Sequence, residues 1–153
     1  MNPVKRMLLA VAVAAVLVSP ASANLGADDE DESTNPDWQA GKEAVEAQDW
    51  RSAVSHLSKA ATAEPENASI QNWLGFAQRK LGNMDAAFAA YGKALKLNPE
   101  YKQAHEYIGE AYLMVGDLPQ AELHLTELQK LCTPIPCEEY KDLKRAIDEY
   151  KKK

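Results

Sequence analysis

The feature that most constrains the fold is a set of residues that returns every 34 positions along the chain. Three groups of residues share this offset. They are the glycines Gly41, Gly75 and Gly109, the alanines Ala53, Ala87 and Ala121, and the polar residues Asp49, Asn83 and Asp117. A fixed period of this length is typical of an array in which one supersecondary unit is stacked on the next. The central part of the chain is therefore predicted to be three copies of one unit.

Each recurring position has a physical role in a helix–turn–helix unit. A glycine within a helix costs about 1 kcal/mol relative to alanine, so its recurrence indicates that a second helix crosses too closely for a side chain. The recurring alanines are predicted to be the matching small residues on that second helix. The polar set supplies its N-caps. Gly82 and Gly116 suit the left-handed residue that ends the first helix, and Pro65 and Pro99 are placed to stop the second.

These residues resemble the pattern of the tetratricopeptide repeat (TPR) family. Repeat 2 carries it as Trp73, Leu74, Gly75, Ala87, Tyr91, Ala94 and Pro99, repeat 1 as Trp38, Gly41, Ala53, Leu57, Ala60 and Pro65, and repeat 3 as Tyr107, Ile108, Gly109, Tyr112, Ala121 and Leu125. The resemblance covers residues 34–135, divided into repeats at 34–67, 68–101 and 102–135. It implies an all-α fold, a right-handed superhelical array of three helix–turn–helix repeats.

Residues 136–153 are predicted to form a C-terminal capping helix. Tyr140, Leu143, Ile147 and Tyr150 follow a 3-4-3 spacing, which places them on one apolar face of a helix. Such a helix covers the apolar surface that the last repeat of an array would otherwise expose.

The N-terminus has the pattern of a secretion signal. Lys5 and Arg6 precede an apolar run over residues 7–18, and Ala21-Ser22-Ala23 follows as a small-x-small cleavage site. Residues 1–23 are therefore predicted to be a signal peptide cleaved near Ala23, with the mature protein periplasmic or secreted. Residues 24–33, which include five consecutive acidic residues, are predicted to be a flexible linker. The apolar run is shorter than the ~20 residues that span a bilayer, so no membrane span is expected after cleavage.

Charge and motifs exclude several classes of function. The chain has 17 Lys and Arg against 23 Asp and Glu, for a net charge of −6, whereas nucleic-acid binding needs a surplus of basic residues. His105-Glu106 begins like a zinc-protease motif, but Gly109 stands where the second His is required. No catalytic residues, metal site or cofactor are expected, so the protein is predicted not to be an enzyme.

Two cysteines lie between the repeats and the capping helix. Cys132 and Cys137 are separated by four residues, two of them proline. In an exported chain, nearby cysteines favour a disulfide. We interpret it as a staple that docks the capping helix on repeat 3, with a redox or sensing role as the alternative. The spacing differs from the CxxC of thioredoxin-like proteins.

The TPR resemblance also implies a binding groove, because the first helices of the family's repeats line a concave face that receives an extended peptide or a partner helix. The family's groove positions correspond here to Trp38, Lys42, Asn72, Phe76, Arg79, Lys80, Glu106 and Glu110, with Val45, Glu46, Ser69, Gln103, Leu113 and Met114 alongside. Phe76 beside Asn72 and Arg79 is predicted to be a contact centre, with a guanidinium suited to a carboxylate. The alternative is that Phe76 packs on a neighbouring helix and Arg79 is a solvated charge. Glu106 and Glu110 make the repeat 3 end acidic, which favours a partner segment with Lys or Arg there.

The sequence therefore predicts a non-enzymatic adaptor that binds a peptide segment or helix of another envelope protein. One alternative is a scaffold that self-assembles into a homo-oligomer. A second is a redox-active accessory protein that uses Cys132 and Cys137.

Overall fold

The chain forms a stack of helical hairpins in a computed structural model that describes residues 33–153. Its helices are α1 (Pro36–Glu46), α2 (Trp50–Ala63), α3 (Ala68–Lys80), α4 (Met84–Leu97), α5 (Lys102–Met114), α6 (Leu118–Leu131) and α7 (Glu138–Tyr150). No strand occurs among these described residues. The first six helices form three hairpins, each packed on the next, and α7 packs on α5 and α6. The predicted all-α superhelical array of three repeats with a capping helix is confirmed.

Ser33 is the first residue that the structure describes. The predicted signal peptide, residues 1–23, and residues 24–32 of the predicted acidic linker lie outside the described residues. Ser33 Oγ donates a hydrogen bond to Glu64 Oε1 at 2.6 Å, and it accepts one from the Asn35 N–H at 3.1 Å. Asn35 in turn caps α1 by accepting from the Asp37 N–H at 2.9 Å. Ser33, which was predicted to end the linker, thus ties the start of α1 to the end of α2.

The turn inside each hairpin follows the repeat. Gln48, Gly82 and Gly116 hold φ angles of 57°, 81° and 82°, the left-handed conformation that ends the first helix. The next residue is the N-cap of the second helix in each repeat. Asp117 accepts from the Gln120 N–H at 3.2 Å, whereas the Asn83 side chain makes no capping bond.

The recurring glycines are sites of close approach, but their neighbours differ from the prediction. A Cβ built on Gly41 would lie 2.7 Å from Leu57, and one built on Gly75 would lie 2.7 Å from the Tyr91 ring. At Gly109 the nearest side chain is Leu143 of α7, at 2.6 Å. The recurring alanines are fully buried, but the atoms closest to the glycines belong to these larger side chains. The glycines therefore make room for large residues.

The capping helix is anchored by its apolar face. Leu143 and Ile147 are buried against α5 and α6, while Tyr140 and Tyr150 at the ends of the same face are half-buried. Between Ser33 and Lys153, no helix combines the length and the apolar character needed to cross a bilayer.

A pair of histidines joins α5 to α6. The Nδ1 atoms of His105 and His124 are 2.9 Å apart, and His105 Nε2 is 2.9 Å from the Pro99 carbonyl oxygen. Because a carbonyl only accepts, His105 Nε2 carries a proton, and a neutral His105 must accept from His124 at Nδ1. Burial, followed by His105, lowers the pKa of His124 to about 4.

Candidate functional site

The first helices of the three repeats and α7 form a continuous surface that we call the concave groove. A row of aromatic rings runs along it from α1 to α5. The centroid distances are 6.2 Å for Trp38–Trp73, 6.1 Å for Trp73–Phe76 and 4.9 Å for Phe76–Tyr107. Each ring supports the next, because edge-to-face and tilted aromatic pairs are favourable at these distances. The groove is thus rigid at its centre.

Arg79 is buried within this row. Its guanidinium lies 5.3 Å from the Phe76 ring centroid and 5.4 Å from that of Tyr107, and its Nη1 donates to Glu110 Oε2 at 2.5 Å. The side chain is only 6% exposed. The carboxylate that Arg79 binds therefore belongs to α5 of the same chain. This pairing corrects the prediction that Arg79 either receives a partner's carboxylate or is a solvated charge.

Asn72 and Trp38 lie beneath the groove surface. Both are 0% exposed. Asn72 Nδ2 donates to Gln103 Oε1 at 2.9 Å, which fixes α3 against α5, and Trp38 packs edge-on against Trp73. The prediction that these two side chains contact a partner is corrected, since a partner cannot reach them here. They hold the groove in shape.

The remaining predicted cations are nearer the surface. Lys42 Nζ lies 4.9 Å from the Trp38 ring centroid. Lys80 Nζ lies 5.1 Å from Phe76 and 5.8 Å from Trp50, and Lys80 is exposed. Phe76 agrees in part with each of its two predicted roles. It packs on neighbouring aromatic rings, and it is still partly exposed in the groove.

Glu106 is the unusual group of the groove. It is partly buried on α5, one turn before Glu110. Burial, and then the Glu110 carboxylate, raise the pKa of Glu106 to about 8. Asp142 and Glu139 on α7 add to the rise, and Arg79 opposes it. Burial and the neighbouring Glu106 also raise the pKa of Tyr107 to about 12.

A cavity of about 450 Å³ opens at the same end of the groove. It is lined by Arg79, Glu110, Leu113, Met114, Ala146, Glu149, Tyr150 and Lys153. Leu113 and Met114 provide its apolar wall, and Met114 is 61% exposed. Polar and apolar surface therefore meet in one concave space between α3, α5 and α7.

Sequence reasoning missed the contribution of α7 to this surface. The residues Glu139, Asp142, Ala146 and Glu149 follow a 3-4-3 spacing one residue before the apolar face of the same helix. That pattern places them on an adjoining face, and it could have identified them. Tyr107 was recognised as a repeat residue but not as part of the groove.

The predicted disulfide lies away from the groove. Cys132 and Cys137 are bonded, with their Cα atoms 5.3 Å apart, and Cys132 is 8% exposed. The bond closes the loop between α6 and α7. Over residues 33–153, no group of three or more His, Cys, Asp or Glu side chains is arranged to hold a metal ion.

Known structures with a similar fold support the helical assignment. The TPR2B domain of yeast Sti1, solved in a complex with pHsp70, superposes with a TM-score of 0.69 over 76% of this chain and 94% of that domain. The two are 20% identical, so this likeness shows the fold alone. MamA of AMB-1 and MamA of MSR-1 each give a TM-score of 0.56 at 32% identity over 60% of this chain. The aligned region spans about half of each MamA chain, 50% and 52% respectively.

Family models locate the repeats directly. A tetratricopeptide repeat model matches residues 39–94, and a TPR repeat model matches residues 77–116. The two overlap and together cover residues 39–116, which is just over half of the chain. With the registered glycines, caps and hairpins described above, these matches show that the chain belongs to the tetratricopeptide repeat family.

Proposed function

We propose that this chain is a non-enzymatic interaction module that holds a peptide segment or a helix of another protein in its concave groove, in the cell envelope after export. The observation that carries the proposal is the concave space between α3, α5 and α7, with a cavity of about 450 Å³, an apolar wall and charged edges. Sites for extended or helical segments combine apolar contact with a few placed polar groups.

Three repeats and a cap provide one short concave surface. Its size suits a single segment rather than several partners at once. The aromatic row beneath it favours binding with little rearrangement, because preorganised surfaces lose less entropy on association. The Sti1 domain, solved in a complex with pHsp70, is an example of a TPR unit with a partner.

The test is affinity capture from the envelope fraction of the cells that make the protein, with a pair of matched variants. Met114→Glu puts a charge on the apolar wall of the cavity. Leu123→Glu makes the same change on α6, at a residue that is 58% exposed and does not line the cavity. Both sites are exposed, so both variants should fold normally by circular dichroism.

A partner recovered by the wild type and by Leu123→Glu, but lost with Met114→Glu, would support groove binding. A partner kept by both variants would refute it. Recovery of further copies of this chain alone, with a mass that rises with concentration, would favour the self-assembling scaffold. A disulfide that opens in a glutathione buffer would favour the redox alternative.

Export has its own test. Mass spectrometry of the protein from fractionated cells should find a chain that begins at Asn24, in the periplasm or the medium. A chain that retains Met1 in the cytoplasm would contradict the proposed location.

A further inference from the structure

The groove contains a carboxylate without a cation at the end formed by α5 and α7. The Glu110 carboxylate is paired with Arg79, but within residues 33–153 the side chain of Glu106 makes no hydrogen bond or ion pair. The negative charges of Asp142 and Glu139, on the α7 helix that packs against α5, also act on it. Asp142 binds Arg145 at 2.8 Å on the exposed side of α7. We call Glu106, Glu110, Glu139 and Asp142 the acidic strip.

This arrangement is unfavourable for the isolated protein. A partly buried carboxylate loses hydration, and like charges nearby add repulsion. Both costs fall when a cation enters, because a charge-assisted hydrogen bond replaces the lost hydration. An anionic segment would be repelled.

The acidic strip continues into the cavity. Glu110 belongs to both, and Leu113 and Met114 follow it on α5. Arg79 lines the cavity with a side chain that is 6% exposed, and its Nε has no acceptor among the described residues. The cavity therefore presents an apolar wall beside the strip.

Resting on the function proposed above, we infer that the acidic strip binds a Lys or Arg side chain of a partner protein segment, while an apolar side chain of the same segment occupies the adjoining cavity against Leu113 and Met114. The length of α5 from Glu106 to Met114 is about 12 Å, from the helical rise of 1.5 Å per residue. A basic residue and an apolar residue three or four positions apart in an extended segment span a similar distance.

The probe is a library of random 12-residue peptides displayed on phage and selected against the purified chain. The enriched peptides are then synthesised, and their affinities are measured by fluorescence anisotropy. We expect enrichment of a Lys or Arg three or four positions from a large apolar residue. Replacing that Arg by citrulline should weaken binding about tenfold, the loss of one charge-assisted contact.

Two protein variants locate the contact. Glu106→Gln should weaken the basic peptides about tenfold and remove the difference between the Arg and citrulline forms. The control is Glu127→Gln, at an exposed residue of α6 that pairs with Lys130, and it should leave the affinity for the basic peptides unchanged. Wild-type affinity should also rise from pH 7 to pH 9 as Glu106 ionises, and this rise should vanish in Glu106→Gln.

The outcomes separate this inference from the proposed function. Enriched peptides that lack basic residues, ignore Glu106→Gln and lose binding with Met114→Glu would overturn the inference and leave groove binding standing. Selection of no peptide, or of peptides that ignore Met114→Glu, would overturn both.

Discussion

Substituting alanine for Gly75 tests the close packing of α3 against α4. The new Cβ would lie 2.7 Å from both Cδ1 and Cε1 of Tyr91 and 3.0 Å from Cγ. The Tyr91 ring is 0% exposed, so it cannot rotate into solvent to relieve the contact. Forcing an extra carbon into a closed core costs about 1–3 kcal/mol. Alanine also stabilises the helix by about 1 kcal/mol relative to glycine, because its helix propensity is higher.

The net expectation is that Gly75→Ala lowers the free energy of unfolding by up to about 2 kcal/mol. Gly92 provides the matched control, since it lies one residue after Tyr91 in α4 and is exposed, with no atom within 4 Å of a built Cβ. Gly92→Ala should therefore raise the free energy of unfolding by about 0.5–1 kcal/mol.

Urea unfolding followed by circular dichroism at the helical band measures both effects. A difference of about 2 kcal/mol between the variants corresponds to midpoints about 1 M apart, for a slope near 2 kcal/mol per M. A Gly75→Ala protein that gains as much stability as Gly92→Ala would refute the close approach. A destabilised Gly92→Ala would refute the expected gain from helix propensity.

Three further predictions concern a cap, the disulfide and pH. Asp117→Ala removes the hydrogen bond from the Gln120 N–H and should lower the free energy of unfolding in urea by about 1 kcal/mol. Asn83→Ala loses no capping bond and should lower it by less. Equal losses of stability in the two variants would contradict the capping role of Asp117. Replacing Cys132 and Cys137 by serine should lower the free energy of unfolding by about 2 kcal/mol, because the disulfide no longer closes a six-residue ring in the unfolded chain. The α7 helix should stay docked through Leu143 and Ile147. Loss of the helical signal of α7 would show that the disulfide alone holds this helix in place. Since the pKa of His124 is lowered to about 4, the unfolded chain takes up that proton first as pH falls. The stability difference between the wild type and His124→Gln should therefore be constant above pH 6.5 and change by about 1–2 kcal/mol, against the wild type, towards pH 4. The raised pKa of Glu106 gives both proteins a further pH dependence of the opposite sign, which this difference removes.

The architecture follows from the sequence because its determinants are local and recur. The left-handed residues at Gly82 and Gly116, the caps that follow them and the apolar face of α7 each depend on a few adjacent positions. Their agreement across three copies makes the register unambiguous. The neighbours of the glycines were harder to predict, because side chains from another helix fill that space, as Leu143 does at Gly109.

The groove was predicted less well because its chemistry depends on pairs from different repeats. The position of Arg79 on the groove face could be read from the register, but its pairing with Glu110 could not. Likewise, the burial of Trp38 and Asn72 depends on how closely α3 approaches its neighbours. Charge counted along a helix cannot reveal which charges are already neutralised across a helix interface.

The bonds between α3 and α5 have a further consequence for the order in which the array opens. Asn72–Gln103 and Arg79–Glu110 each join residues 31 positions apart, so these two helices interlock through polar contacts at two levels. Among the described residues, no side-chain hydrogen bond joins α1 to α3, which meet through aromatic packing at Trp38 and Trp73. Directional hydrogen bonds between two helices resist the sliding of one helix along the other, whereas an aromatic contact between α1 and α3 permits small shifts. Thermal fluctuation should therefore displace α1 from α3 more readily than α3 from α5, so that amide hydrogens in α1 exchange with solvent earlier than those in α3 and α5.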